Sequence, residues 1–185
     1  MKRGKFQYYT ATTIDGFIAD ENHSLDWLFE IQGGNSSFAD FFAQLGAFVM
    51  GRSTFDWIVK HEDLLNQPEK WKQYHGDLPC WVFTHRPLPQ VQGASIRAAT
   101  GDIASVCSEI LAAANGKNVW LAGGGQLVGS FFDAGFLDEL IFQIAPVTLG
   151  KGAPLLPRRI TSAALELIEA RQNGPFIDAR YSVIK

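Results

Sequence analysis

The sequence is poor in the residues that usually announce chemistry. It has two cysteines, Cys80 and Cys107, with no CxxC pair and no histidine at ligand spacing. That excludes a disulfide framework and a metal site, and both cysteines read as reduced thiols of a cytoplasmic protein. Cys107 falls on the apolar side of a helical pattern, the place of a structural thiol. No G-x-S-x-G occurs, and His23, His61, His75 and His85 stand in polar stretches with no paired nucleophile, which sets a hydrolase aside. No apolar run approaches a membrane span, and "MKRGKFQYYT" lacks the apolar stretch of a secretory signal. The net charge of -3 excludes a general nucleic-acid or membrane-surface partner. Internal repeats and low-complexity linkers are absent as well.

What remains is a chain of 185 residues, 46% apolar and 19% charged. That is enough for one domain over residues 1–185 with a sizeable core. "KFQYYTATTI" reads as a strand closed by Asp15-Gly16, with "FIA" as a short continuation. "LDWLFEI" is a short apolar segment behind a polar loop. Phe38, Phe41, Phe42 and Leu45 recur at helical spacing, with Ser37…Asp40 as a capping box and Gly46 as the stop. "AFVM" is a buried strand that turns into the helix "GRSTFDWIV", with Ser53…Asp56 as its start signal. "NQPEKWKQYHG" reads as a short surface helix, Pro68 opening it and Gly76 closing it. "CWVFT" and "ASIRAA" are strands. In "DIASVCSEILAAANG", Ile103, Val106, Ile110 and Leu111 share a face, Asp102 caps and Gly116 ends the helix. "NVWLA" and "DELIFQIAPV" are strands around the helix "GQLVGSFFDAG". After the loop "LGKGAPLLP", "ALELIEA" and "FIDARYSVIK" form an antiparallel pair. The alternation over residues 37–145 gives an α/β fold, a mostly parallel central sheet flanked by helices, closed by a C-terminal antiparallel hairpin.

Gly123, Gly124 and Gly125 stand where a buried strand turns into a helix. The first N–H groups of that helix lack partners and carry the positive end of its dipole. A phosphate fits there if no side chain blocks it. A tight turn alone would need one glycine. The stretch matches neither the dinucleotide fingerprint, since Val128 takes the place of its third glycine, nor a P-loop. Two more strand ends share this chemistry. Gly51, Arg52, Ser53 and Thr54 offer open amides, hydroxyls and a guanidinium, and Arg forks a phosphate bidentately. Thr84, His85 and Arg86 follow another strand. Each alone fits an ordinary capped helix or a solvated surface. Ligands of such sheets bind at the carboxyl ends of the strands. One pyrophosphate site with two basic groups suits NADPH.

"TATTIDGFIA", "VMGRSTFDWI", "WVFTHRP" and "VWLAGGGQLVGSFFDAGFLDELIFQIAPVTLG" resemble, in order, the blocks of the dihydrofolate reductase-like superfamily. They are most similar to the riboflavin-biosynthesis reductase branch, as are the Asp15-Gly16 start and Pro146, Leu149, Gly150 and Gly152. The resemblance implies NADPH with its pyrophosphate at Gly123–Gly125, continuing to Gln126 and Leu127. It implies Gly51, Arg52, Ser53 and Thr54 at the phosphates, with Arg52 near the 2′-phosphate. Thr84, His85 and Arg86 would hold the adenosine ribose phosphate, and the backbone of Thr13, Ile14 and on to Ala19 would lie beside the nicotinamide. It also implies a homodimer and a small heterocyclic substrate. The buried acid of dihydrofolate reductases proper has no match in register: Asp26 precedes Trp27 and Glu30 follows it. The zinc deaminase often fused to the riboflavin enzyme is not expected in this chain, since "LPCW" has no second cysteine. Lys151 and Arg158-Arg159 are candidates for a substrate phosphate, or solvated loop residues.

The expected activity is thus NADPH-dependent reduction of a nitrogen heterocycle, of the 5-amino-6-(5-phosphoribosylamino)uracil reductase type. Alternatives are a dihydrofolate or pteridine reductase and a non-catalytic NADPH-binding protein. Asp15, Asp26 and Glu30 are the candidate proton donors, although Asp15 also fits a structural turn and Asp26 a helix cap.

Overall fold

The computed structural model describes residues 3–34 and 38–185. Ser37, the first member of the expected capping box, lies outside them.

Eight strands form one sheet. In chain order they are β1 (Phe6–Thr13), β3 (Leu45–Gly51), β4 (Cys80–Phe83), β5 (Ile96–Ala99), β6 (Asn118–Gly123), β7 (Leu137–Ala145), β9 (Leu165–Asn173) and β10 (Phe176–Val183). Their spatial order is β5-β4-β3-β6-β1-β7-β10-β9. The first six neighbours pair in parallel, and β7-β10-β9 pair antiparallel. The expected parallel sheet with an antiparallel C-terminal hairpin is what the chain forms. A second sheet of two short strands, β2 (Phe17–Ala19) and β8 (Ala153–Pro154), crosses the loop after β7.

The helices are α1 (Asp26–Phe29), α2 (Phe38–Ala43), α3 (Arg52–His61), α4 (Glu69–His75), α5 (Ile103–Ala114) and α6 (Gly125–Asp133). The period-two alternation of the strands splits the core between the two faces of the sheet. Phe6, Tyr8, Ala47, Val49 and Leu121 pack with Cys107 and Ile110 of α5 and with Val128 and Phe131 of α6. Phe48 and Met50 point the other way, against Phe55 of α3 and Trp71 of α4. Tyr9 lies under Phe41 of α2, ring centroids 4.7 Å apart. Helix α5 buries Ile103, Cys107, Ile110 and Ala114, the helical stripe read from the sequence, shifted so that Val106 and Leu111 flank it.

Several local expectations give way to tertiary contacts. Gly46 is not a helix stop; it lies in β3, where a Cβ would sit 2.1 Å from the Ala114 carbonyl oxygen. It lets the end of α5 lie on the strand. Ser53 does not cap α3: the helix starts at Arg52 with Gly51 as its cap residue and no side-chain cap. Asp102 likewise makes no side-chain cap for α5. Helix α4 is no surface helix, because it buries Trp71 and His75. His75 therefore leaves the group of loop histidines, its ring stacked on Phe48 at 5.0 Å and 8°. Gly76 does end this helix, at φ 59. Among the described residues no helix is long and apolar enough to cross a membrane, and none of their His, Cys, Asp and Glu side chains form a metal-binding group.

Candidate active site

The carboxyl ends of β4, β3, β6 and β1 lie side by side because these strands are parallel neighbours. Met50 and Gly123 face each other across β3 and β6, so Gly51 and the triple glycine open at the same edge. A Cβ on Gly51 would lie 3.8 Å from the Gly124 amide nitrogen, and one on Gly123 would lie 3.5 Å from Thr54 Oγ1. The structure thus brings together two of the strand ends singled out in the sequence, Gly51–Thr54 and Gly123–Gly125.

The three glycines have three different reasons. Gly123 has φ +129, a conformation other residues rarely adopt. Gly125 opens α6, and a Cβ there would lie 2.4 Å from the Leu155 carbonyl oxygen and 2.5 Å from that of Pro154. Close packing of the helix on the β8 segment demands glycine at that position. Gly124 is the cap residue of α6, and a Cβ there would meet nothing within 4 Å. Only at Gly124 does the missing side chain leave open space, directly before the unpaired amides of a nine-residue helix. Gln126 is exposed in the first turn, its Oε1 accepting from Arg158, and Leu127 packs inward against the α5–α6 core.

Beside this opening stands a cluster of charges. Arg52 donates from Nε to Asp56 Oδ1 at 2.6 Å and from Nη1 to the Pro87 carbonyl at 2.9 Å. It clamps the start of α3 to the loop after β4. Thr84 Oγ1 accepts the Arg86 amide at 3.0 Å, and Arg86 Nη2 reaches Asp56 Oδ2 at 3.4 Å. His85 is exposed next to them. Asp56, read from the sequence as a helix start signal, is the counter-ion of both arginines.

On the far side of the opening, Asp15 closes the turn after β1. Its carboxylate accepts the Thr13 hydroxyl at 2.5 Å, the Leu149 amide at 3.0 Å and the Gly150 amide at 2.7 Å. The Thr13 hydroxyl first, and then the two amides, hold its pKa below the usual carboxylate range. Asp15 is an ionised acceptor that pins the 149–152 loop, the structural reading of this residue. Ile14 next to it is 65% exposed, a large apolar side chain left bare at a strand end, and its amide donates to Val147. Ala19 is buried, and Gly152 packs on its carbonyl so closely that a Cβ there would lie 2.1 Å away.

Helix α1 turns Trp27 inward and leaves Asp26 and Glu30 exposed. Asp26 is the first residue of the helix rather than its cap, which is Leu25 without a side-chain bond; the Asp26 amide donates to the Ser24 hydroxyl at 3.0 Å. The chain leaving α1 crosses to the β9–β10 turn, where a Cβ on Gly34 would lie 3.2 Å from the Asn173 carbonyl oxygen. Trp27 Nε1 is buried without a hydrogen-bond partner. Of the three acids, Asp15 is held by Thr13 and the Leu149 and Gly150 amides, while Asp26 and Glu30 face solvent. Lys151 pairs with Glu21, and Arg158 binds Asp133 at 2.7 Å while lying over Gly129. Both of these cations have structural partners, and Arg159 is exposed.

Two buried carboxylates, Glu139 and Asp178, are unmarked in the sequence, and Glu139 is the more deeply buried. Glu139 on β7 accepts from Gln7 Nε2 at 2.6 Å and from Arg180 Nη2 at 2.6 Å, and it also binds Lys5. Burial alone would raise its pKa; the bonds from Lys5, Gln7 and Arg180 outweigh this and hold it low. Nothing local marks it, because its partners are Lys5 just before β1, Gln7 of β1 and Arg180 of β10.

With this geometry the chain is an α/β domain of the dihydrofolate reductase-like fold. It matches the RibD C-terminal domain over residues 5–177, and it belongs to that family. It is 32% identical to YwjB of Bacillus subtilis (strain 168), an uncharacterised protein, over 94% of each chain. Three of the solved structures that share the fold illustrate the likeness. A protein of Shewanella sp. PV-4 provisionally named for riboflavin biosynthesis has a TM-score of 0.81 at 21% identity, covering 98% of this chain and 99% of that one. The diaminohydroxyphosphoribosylaminopyrimidine deaminase/5-amino-6-(5-phosphoribosylamino)uracil reductase of Thermotoga maritima gives 0.64 at 15%, covering 98% of this chain and 57% of that one. Dihydrofolate reductase from Enterococcus faecalis, complexed with NADP(H), gives 0.61 at 16%, covering 98% and 96%.

Proposed function

We propose that this protein is an NADPH-dependent reductase of a nitrogen heterocycle, of the 5-amino-6-(5-phosphoribosylamino)uracil reductase type. The observation that carries the reading is Gly124: its side-chain direction is open, and it caps a helix whose free amides face that opening. The residues present fit a dinucleotide. Gly123, Gly124 and the first amides of α6 hold the pyrophosphate. Thr54 and Ser53 lie beside it, one strand over. Thr84, His85 and Arg86, after β4, stand at the adenosine end, two strand spacings or about 10 Å from Gly124, and Arg52, one strand over, reaches toward them through the Pro87 carbonyl. Thr13, Ile14 and the backbone to Ala19 border the nicotinamide end. The bound cofactor supplies a hydride; the chain supplies orientation, with the exposed apolar side chain of Ile14 available to pack on the nicotinamide. Family membership and the named activity of the Thermotoga relative support the substrate class, and the NADP(H) complex of the Enterococcus relative supports the cofactor.

A second reading, an NADPH-binding protein without catalysis, is favoured by one observation: of the three acids singled out, Asp15 is held ionised and Asp26 and Glu30 face solvent. Loss of NADPH absorbance with the pyrimidine intermediate, and with dihydrofolate as comparison, separates the two. Turnover of the pyrimidine supports the reductase. NADPH binding with no turnover of either supports the second reading.

A further inference from the structure

The two arginines assigned to the adenosine phosphate already hold an anion. Asp56 places one carboxylate oxygen on Arg52 and the other toward Arg86. The pair is not symmetrical. The Arg52 side chain is 19% exposed, pinned at Nε by Asp56 and at Nη1 by the Pro87 carbonyl. The Arg86 side chain is 66% exposed and tied to Asp56 by a single 3.4 Å contact. Arg52 is thus fixed by the fold, and Arg86 is the one able to turn to a ligand.

We infer that Asp56 sets how strongly this site distinguishes a dinucleotide with a phosphorylated adenosine ribose from one with a free ribose. This rests on the dinucleotide reading above and deepens it. A 2′-phosphate brings close to two negative charges to a place where a carboxylate already neutralises one guanidinium. It must draw Arg86 away from Asp56, and Asp56 then repels it across a few ångströms. A free ribose meets no such opposition, since a carboxylate accepts its hydroxyl. Asp56 is therefore a specificity-determining residue that narrows the preference for NADPH and admits NADH.

Asp56→Asn separates these effects. Its amide oxygen keeps accepting from Arg52 Nε, so the start of α3 stays clamped, while the negative charge is gone. The dissociation constants of NADPH and NADH are measured for the wild-type chain, Asp56→Asn and Arg86→Ala by quenching of tryptophan fluorescence. In Asp56→Asn, NADPH is expected to bind about fivefold to tenfold more tightly, with NADH unchanged or weaker. In Arg86→Ala, most of the NADPH preference is lost and NADH is retained. Equal weakening of both cofactors by Asp56→Asn overturns the inference, because Asp56 then only holds the helix. Unchanged binding of both overturns it too, leaving a surface ion pair. If the wild-type chain binds neither cofactor, the dinucleotide reading itself has failed, and this shows before any variant is compared.

Discussion

Asp15 and Gly150 are 135 residues apart in the chain and meet at 2.7 Å, the Gly150 amide donating to the carboxylate. This contact fastens the turn after β1 to the loop after β7, and with it the edge of the opening. The Asp15 pKa lies below its ordinary value of 3.8, so the group stays ionised as pH falls from neutral toward that value. Asp15→Asn should lower the melting temperature and make the 149–152 loop more sensitive to protease. It should leave any activity pKa between about 5 and 8 where it was. A neutral-range kinetic pKa that vanishes in Asp15→Asn would make Asp15 the proton donor after all.

Gly124 and Gly125 are adjacent, yet their substitutions should act on different properties. Gly125→Ala forces a Cβ against two backbone oxygens and should destabilise the fold by about 1–3 kcal/mol, read from urea unfolding. Gly124→Val has open space and φ -85, and should unfold at nearly the wild-type midpoint. If Gly124→Val were the less stable of the two, the open cradle at the start of α6 would be misassigned.

Burial in α4 pushes the His75 pKa below 6.5, against the smaller pulls of the Trp71 carbonyl and of Glu62. The folded state thus resists protonation that the unfolded chain accepts. Stability from this residue is complete above pH 6.5 and declines as pH falls below it, toward the lower folded value. His75→Phe keeps a ring to stack on Phe48 and removes the titration. Its stability should fall less than that of the wild type between pH 7 and 5; an equal fall would exonerate His75.

Glu139 should matter for stability, not for cofactor affinity. Glu139→Gln leaves Lys5 and Arg180 without their shared carboxylate and should cost about 2 kcal/mol, moderated because both cations reach water. Because the folded pKa is lowered, the charge contributes fully above the ordinary value of 4.5 and its contribution is lost as pH falls through the folded value. Acid unfolding of Glu139→Gln should accordingly be shallower below that pH. Unchanged stability at neutral pH would make the network dispensable.

Much of the fold was legible because it is local. The α5 stripe, the buried run of β3 and the β9–β10 pairing all follow from period and turn residues within one stretch. The triple glycine stood out for the same reason, although only the structure shows that Gly125 serves packing and Gly124 the opening. What was not legible depends on distant partners. Gly46 is set by Ala114, Glu139 by Lys5 and Arg180, and Asp15 by Leu149 and Gly150. Asp56 shows the limit most clearly: an acid early in a helix reads as a start signal until Arg86, 30 residues on, is seen beside it.

The most direct test is a titration of the wild-type chain and Gly124→Val with NADPH, following tryptophan quenching, with unfolding curves for both. Saturable binding by the wild type, lost in an equally folded Gly124→Val, is the result expected of a pyrophosphate cradle at the start of α6. Binding that survives in Gly124→Val, or no binding by the wild type, would contradict it.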